Sequence, residues 1–363
     1  MAISSRTNPQ TSADDPPPWW SAPAKLNLFL EVLGRRGDGF HEVDIVMTAI
    51  DVIDRVGVVP CDEPQVQCDC TWSDTFAKSR GRDVPLPGLP TSENNLVTRS
   101  LEAFRQRFGI ANGYRATIEK NIPSGAGMGG ASSDAATALV IAASDHARRS
   151  GRPIDWPELH RLAAIIGSDV PFFLPLASLC GTAADQDRVE AAINDVVVGN
   201  TAQGGNFSAR CTGRGEHLNR VVDKLDYGIL IVHPGVEVST AEVYRRCQPP
   251  QDALDGGPMV RAMSEGDRTG FVKNAFNRLE QPAANVCPAI DEVKCWLAQF
   301  APILVQMTGS GSACFAVFDS VSTARRCVEN ADQPPRPSWW IQVARPLAID
   351  GPSTKASVGP SAM

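Results

Sequence analysis

The chain has 363 residues, 43% hydrophobic and 21% charged, with a formal net charge of −7. That length allows two domains with ample core, and the balance is that of an ordinary globular protein. No Lys/Arg cluster gives a nucleic-acid footprint, no apolar run reaches membrane-spanning length, and the ten cysteines contain no C-x-x-C pair. The expectation is a cytoplasmic protein with reduced thiols, most of them small buried groups, acting on a small molecule rather than on nucleic acid or a membrane.

Met1 to Pro18 is polar, ends in Asp14-Asp15-Pro16-Pro17-Pro18 and lacks the apolar core of a signal peptide, so residues 1–20 read as a disordered tail. Leu26, Leu28 and Leu30 alternate with Asn27, Phe29 and Glu31, which predicts a strand, and Gly34 to Gly39 supplies turn residues. Ile45 to Val59 reads as a second strand region broken at Asp54, and residues 60–93 as a long excursion holding one short strand. Leu96, Val97, Leu101 and Phe104 have helical spacing within 93–108. Tyr114, Ala116 and Ile118 alternate with Arg115, Thr117 and Glu119, the pattern of a half-buried antiparallel strand.

A long helix is expected from Ser132 to Arg149. A second runs from Trp156 to Ile166, N-capped by Asp155, with Pro157 in its first turn and Gly167 at its end. Val170 to Leu174 is an apolar run. Residues 175–206, rich in Ala, Asp, Gly and Asn, read as an insertion, either a surface excursion or one hiding a short helix at 184–194. Tyr227 to Val232 and Cys314 to Phe318 are buried strands, the second preceded by a glycine turn, Met307 to Ala313. The sum is an α+β protein of two halves, each a sheet with helices on one face. The domains are 21–174 and 207–347, with an insertion between them and a polar tail over 348–363.

The most informative segment is the loop Pro123, Ser124, Gly125, Ala126, Gly127, Met128, Gly129, Gly130, Ala131, Ser132, Ser133. Glycine lets backbone approach a ligand closely, and a helix N-terminus directly after it adds free N–H groups and the positive end of a dipole, so the loop is an anion site. It lacks the lysine of a P-loop. Gly125, Gly127 and Gly130 satisfy the dinucleotide pattern, but the preceding strand alternates instead of running continuously apolar, and Pro123 interrupts the passage from strand to turn.

Four further segments stand out. Lys25 lies in an otherwise apolar strand and must find a partner or snorkel. Phe40 and His41 sit in a turn able to stack on and hydrogen-bond a planar base. Asp169 is a lone acid between Gly167 and the run Val170–Leu174, suited to a positioned carboxylate and equally to a turn. The turn 307–313 could close over a substrate or simply join two strands.

Together these segments resemble the GHMP kinases, and within them the 4-diphosphocytidyl-2-C-methyl-D-erythritol kinase family. The matching pieces run in family order over about residues 21–347: Pro23-Ala24-Lys25-Leu26-Asn27-Leu28, Gly34 to Glu42, Glu93-Asn94-Asn95-Leu96, Ile122 to Ala136, Gly167 to Phe173, Gly213-Arg214-Gly215-Glu216, His233-Pro234-Gly235, Asn274 and Thr308-Gly309-Ser310-Gly311. The resemblance implies a two-domain GHMP fold, with an N-terminal ribosomal-protein-S5-like domain and a C-terminal ferredoxin-like α/β sandwich. It implies ATP and Mg²⁺, Lys25 and Asp169 as the catalytic pair, and residues 123–133 as the ATP phosphate loop, with Ser133 a further phosphate contact or metal ligand.

Asn27 would lie near the erythritol and phosphate groups, Phe40 and His41 would hold cytosine, and Thr240 and Tyr244 would close over the substrate from the second domain. The implied reaction phosphorylates the 2-hydroxyl of the cytidine-diphosphate-linked methylerythritol, in a protein that is a monomer or homodimer. Rival readings are a mevalonate- or homoserine-type kinase and a non-catalytic ligand sensor of the same fold. Phe40 stands where the family commonly has tyrosine and Met128 where leucine is usual, a volume-conserving change. Residues 60–90 and 175–206 are longer than the family pattern.

Overall fold

The computed structural model describes residues 18–79, 84–179, 205–331 and 336–349. Its first sheet is built on two long antiparallel strands, β1 (Trp20–Arg35) and β2 (His41–Cys61). Strands β3 (Val66–Trp72) and β4 (Gly113–Lys120) extend it beyond β2. β5 (Gly205–Gly213) pairs with the first part of β2 along the edge away from β1, where β4 pairs with the last part, β6 (His217–Asp223) pairs with β5, and a two-residue β8 (Phe276–Asn277) runs parallel to β1. The second sheet has the order β11 (Trp340–Ala344), β7 (Gly228–His233), β10 (Cys314–Phe318), β9 (Leu304–Met307), antiparallel throughout. The short β12 (Ala348–Ile349) returns to pair with β5.

In the first half the helices are α1 (Asp74–Lys78), α2 (Leu96–Phe108), α3 (Gly130–Ser150), α4 (Trp156–Ile166) and α5 (Val170–Leu179). In the second they are α6 (Thr240–Arg246), α7 (Gly257–Glu265), α8 (Arg268–Asn274), α9 (Glu280–Val286), α10 (Ala289–Ala298) and α11 (Val321–Glu329). None of the described helices is long and apolar enough to cross a membrane.

Bulges in β1 decide which way its side chains face. Register against β2 shifts between Pro23 and Ala24 and again between Asn27 and Phe29. Ala22, Leu30 and Val32 pack into the core under α3, whereas Ala24, Leu26 and Leu28, between the two shifts, pack with Ile229, Ile231, Phe315 and Val317 of the second sheet. A bulge adds a residue and re-aims those that follow. The plain alternation expected across Leu26, Leu28 and Leu30 therefore breaks at Leu28, and the two bulges bracket Lys25 and Asn27. The shared apolar layer also fuses the two halves into one packed body.

Several boundaries differ from the sequence expectation. β1 starts at Trp20, inside the expected tail, and β12 uses the first two residues of the expected C-terminal tail. β2 is not broken at Asp54, because the buried carboxylate is neutralised by Lys120. The excursion at 60–93 holds β3, α1 and a 3₁₀ turn, Ser92–Asn94. β4 is antiparallel to β2 but parallel to β3. The run after Asp169 is helical as far as Leu179, and β5 begins at Gly205, so both ends of the expected insertion are regular structure. Its remainder, 180–204, including the segment 184–194 read as a surface excursion or a short helix, lies outside the described residues. β5, β6 and β12 also join the first sheet, although residues 207–223 were expected in the second domain. A strand's pattern reveals that it is a strand but not which edge it will pair with.

Candidate active site

A cleft of about 1260 Å³ lies between the halves, walled by β1, the 36–41 turn, the glycine loop, the start of α5, α6 and the 307–311 turn. β1 carries Lys25 into it. The Lys25 backbone N–H donates to Met128 O (3.0 Å), its side chain is almost wholly buried, and its Nζ donates to Asn27 Oδ1 and lies 3.6 Å from Asp169 Oδ2. Burial lowers the Lys25 pKa from its ordinary value, an effect partly offset by the Asp169 charge. Asp169 stands on the turn that opens α5, where its carbonyl accepts from Phe172 N (3.2 Å), and its carboxylate is about one-third exposed to the cleft.

The glycine loop passes over this pair. Gly127 has φ +75°, and a Cβ there would lie 2.2 Å from Thr308 O. Gly129 has φ +73° at the N-cap of α3, and a Cβ there would meet Phe173 at 2.9 Å and Lys25 Cγ at 3.1 Å. Only glycine suits both positions, in conformation and in space. The second glycine turn closes the other side. Thr308 Oγ1 accepts from Asn27 N of β1 (3.1 Å), and a backbone bond from Ala313 N to Ala126 O (3.2 Å) joins the two loops.

The structure gathers most of the residues singled out from the sequence. Lys25, Asn27, Phe40, His41, Asp169, Thr240, Tyr244 and residues 123–132 all line the cleft. The His41 and Tyr244 rings touch across the halves at 4.9 Å between centroids, and Thr240 Oγ1 is 2.8 Å from Ser310 Oγ. Burial, with Arg35 nearby, lowers the His41 pKa below its ordinary value of 6.5. Ser133 is the exception. It is fully buried, off the cleft wall, and its Oγ has no hydrogen-bond partner among the described residues, whereas Ser132 lines the cleft. Successive helical residues diverge by about 100°, so of two adjacent serines only one faces the ligand. The structure therefore does not bring Ser133 to the cleft with the other residues singled out.

Other residues at the site were missed. Lys120, just before the loop, is buried and donates to Asp134 Oδ2 (2.6 Å) and to Asp54 Oδ2, while Asp54 Oδ1 accepts from Asn121 N and from Ile122 N (2.8 Å). Burial, reinforced by the neighbouring Asp54 charge, pushes the Asp134 pKa up even though Lys120 pulls it down. Lys120 falls in phase with Tyr114, Ala116 and Ile118, on the buried face of the strand just before the glycine loop, and that was the available signal. Asn95 caps α2 by accepting from Val97 N (2.9 Å) and also lines the cleft. Asn277 supports the second glycine turn. Its Nδ2 donates to Met307 O (2.8 Å) and Gly309 O (2.9 Å), and Asn274 donates to Gly270 O, one helical turn back.

Asp54→Ala should lower stability by about 2–5 kcal/mol: Lys120 keeps Asp134, but the Asn121 and Ile122 N–H groups lose their acceptor, each stranded donor costing about 1–3 kcal/mol. A urea melt reads it directly. A shift below about 1 kcal/mol, the range of an exposed pair, would show that the network is solvated.

This architecture, two sheets sharing one apolar core with interlocked glycine turns over a lysine–aspartate pair, is that of the GHMP kinases. The GHMP kinases N terminal domain model matches residues 95–175 and the GHMP kinases C terminal model residues 259–334. The chain is 38% identical over 324 residues to the 4-diphosphocytidyl-2-C-methyl-D-erythritol kinase of Rhodopirellula baltica, covering 86% of this chain and 90% of that one. It is 34% identical over 308 residues to the enzyme of the same name from Pelotomaculum thermopropionicum, covering 84% and 90%.

A crystal structure of 4-(cytidine 5′-diphospho)-2C-methyl-D-erythritol kinase superposes with a TM-score of 0.60 at 27% identity, covering 90% of this chain and 99% of that one. The homoserine kinase of Cytophaga hutchinsonii shares the fold, with a TM-score of 0.52 at 18% identity, covering 94% of this chain and 100% of that one. The chain belongs to the 4-diphosphocytidyl-2-C-methyl-D-erythritol kinase family.

Proposed function

We propose that this chain transfers the γ-phosphoryl group of ATP to the 2-hydroxyl of 4-diphosphocytidyl-2-C-methyl-D-erythritol, a step in the non-mevalonate route to isoprenoid precursors. The observation that carries the reading is the Lys25–Asp169 pair at 3.6 Å, set directly under the N-terminus of α3. Phosphoryl transfer asks a protein mainly for in-line positioning and charge stabilisation. The amides of residues 124–130 and the first turn of α3 hold the nucleotide phosphates. The adjoining wall of Pro90, Asn95 and Leu96 takes the purine.

Asp169 accepts the proton of the attacking hydroxyl. Lys25, shielded from water, offsets charge on the moving phosphoryl group, and Asn27 holds the lysine in place. Phe40, His41 and Tyr244 form the far end of the cleft, where cytosine lies. Thr240, tied to Ser310, closes over the substrate between the two ends.

Mg²⁺ in a kinase site is held largely by phosphate oxygens and water, with one or two protein oxygens. Among the described residues there is no group of three or more His, Cys, Asp or Glu that could hold a metal ion. Ser132 and Glu237 on the cleft wall are the oxygens that would hold it. When bound, the ion neutralises phosphate charge. A mevalonate- or homoserine-type kinase would have no use for the aromatic–histidine end of the cleft, and a ligand sensor would have no use for Lys25 beside Asp169.

His41→Ala tests the acceptor assignment. Losing one hydrogen bond and leaving its partner unpaired costs about 1–3 kcal/mol, so KM for the cytidine acceptor should rise about 5- to 150-fold while KM for ATP stays put. In the unmutated enzyme the neutral imidazole binds, so acceptor KM should be flat above pH 6.5 and rise only as pH falls through the lowered His41 pKa. Equal effects on both substrates, or an acceptor KM that falls on acidification, would remove His41 from the base site.

A further inference from the structure

We propose that Arg214 is a positioning residue for the acceptor base, its guanidinium fixing the Phe40 ring as the shelf on which the base stacks. The proposal rests on the reading of this end of the cleft as the cytosine site.

Phe40 needs such support. Its backbone is well held in the turn between β1 and β2. Phe40 N donates to Asp38 Oδ1 (3.1 Å), and Phe40 O accepts from Arg36 N (2.8 Å). The ring itself is 47% exposed at the cleft rim. A phenyl group carries no hydroxyl with which to hydrogen-bond itself in place, so a half-exposed ring would sample several rotamers.

Arg214 restricts it. It sits in the turn joining β5 to β6, and its guanidinium carbon lies 4.6 Å from the Phe40 ring centroid, within cation–π range. The guanidinium is itself braced. Its Nη2 donates to Ala164 O (3.2 Å) near the end of α4, and its Nε lies 3.6 Å from Glu216 Oε1. Arg214 N also donates to Glu216 Oε2 (2.5 Å), closing the turn on its own carboxylate. Gly213 and Gly215, on either side, have φ of +76° and +118°, and a Cβ on Gly215 would lie 3.3 Å from Ser168 O. The turn is thus pressed against the segment that presents Asp169. A planar cation fixed against one face of a half-exposed ring leaves the other face for a planar base. Arg214 thereby ties the stacking shelf to the same wall that carries the proposed general base.

The test is a double-mutant cycle in the full-length enzyme, reading KM for the cytidine-diphosphate acceptor and for ATP in Arg214→Ala, Phe40→Ala and the double variant. Arg214→Ala should raise acceptor KM about two- to fivefold, the worth of one rim cation–π contact, and leave ATP KM where it is. Arg214→Lys should recover part of the loss. In the Phe40→Ala background, removing Arg214 should add nothing further.

The proposal is overturned if Phe40→Ala raises acceptor KM and Arg214→Ala does not. It is overturned as well if the two losses simply multiply, because Arg214 would then act on the substrate without Phe40, or if ATP KM rises equally, because the role would then be structural. Phe40→Ala with unchanged acceptor KM would overturn the reading of the base site itself, and this proposal with it.

Discussion

Asp169→Asn should fold as the parent does, bind ATP with nearly the same KM, and lose about 10²–10⁴-fold in kcat, the usual contribution of a general base. The substitution keeps shape and removes basicity. Asp169 lies on the turn opening α5, and the bond fixing that turn is made by its backbone carbonyl, so the amide should not disturb the local structure. Among the described residues the other acids lining the cleft are engaged elsewhere. Asp134 is tied to Lys120 beneath the glycine loop, and Glu237 packs on Gly125, where a Cβ would meet the Glu237 side chain at 2.8 Å. Near-normal turnover by the variant would show that the hydroxyl proton leaves by another route.

Lys25→Met should be nearly as damaging, about 10²–10³-fold in kcat, the scale set by removing one preorganised donor from a developing charge. Methionine preserves the buried stem while removing the ammonium. Asn27 Oδ1 loses the donor it shares with the lysine, although Thr308 Oγ1 remains 3.3 Å away. Lys25→Arg should not rescue, because the Lys25 stem already packs under Gly129 and beside Phe173, with little room for a larger head group. The informative comparison is kcat against ATP KM. A loss confined to kcat supports a role in transfer, and a rise in ATP KM with kcat unchanged would make Lys25 a ground-state phosphate contact instead.

What the sequence made legible was largely local. The α4 boundaries follow from Asp155, whose side chain accepts from Glu158 N (3.0 Å), Pro157 in the first turn and Gly167 after the last. The glycine loop could be read because positive φ at Gly125, Gly127 and Gly129 demands glycine regardless of what surrounds it. Lys25 could be noticed because an ammonium in an apolar strand needs a partner, and Asp169 proved to be that partner across 144 positions of chain.

The rest depended on tertiary structure that no single segment encodes. The bulges aiming Lys25 and Asn27 arise from mismatched register between β1 and β2 and leave no mark in either strand's composition. Asp54 looked like a strand breaker because its cation, Lys120, comes 66 positions later. Ser132 and Ser133 are chemically identical, so only the helix phase of α3 separates the residue at the cleft from the one in the core. Asn274 and Asn277 lie three residues apart. The carbonyls of the 307–311 turn, brought close by folding, select Asn277.

The central claim, that the cleft transfers phosphate from ATP to one hydroxyl of a cytidine-diphosphate-linked tetritol, is tested most directly by assaying the purified chain with ATP and a panel of acceptors. The panel holds 4-diphosphocytidyl-2-C-methyl-D-erythritol, the free methylerythritol phosphate, mevalonate and homoserine, with the product analysed by phosphorus NMR. The account predicts efficient transfer to the cytidine acceptor alone, giving a new phosphomonoester signal coupled to the methyl-bearing C2 position. Preferential phosphorylation of mevalonate or homoserine, or ATP turnover indifferent to the cytidine group, would contradict it.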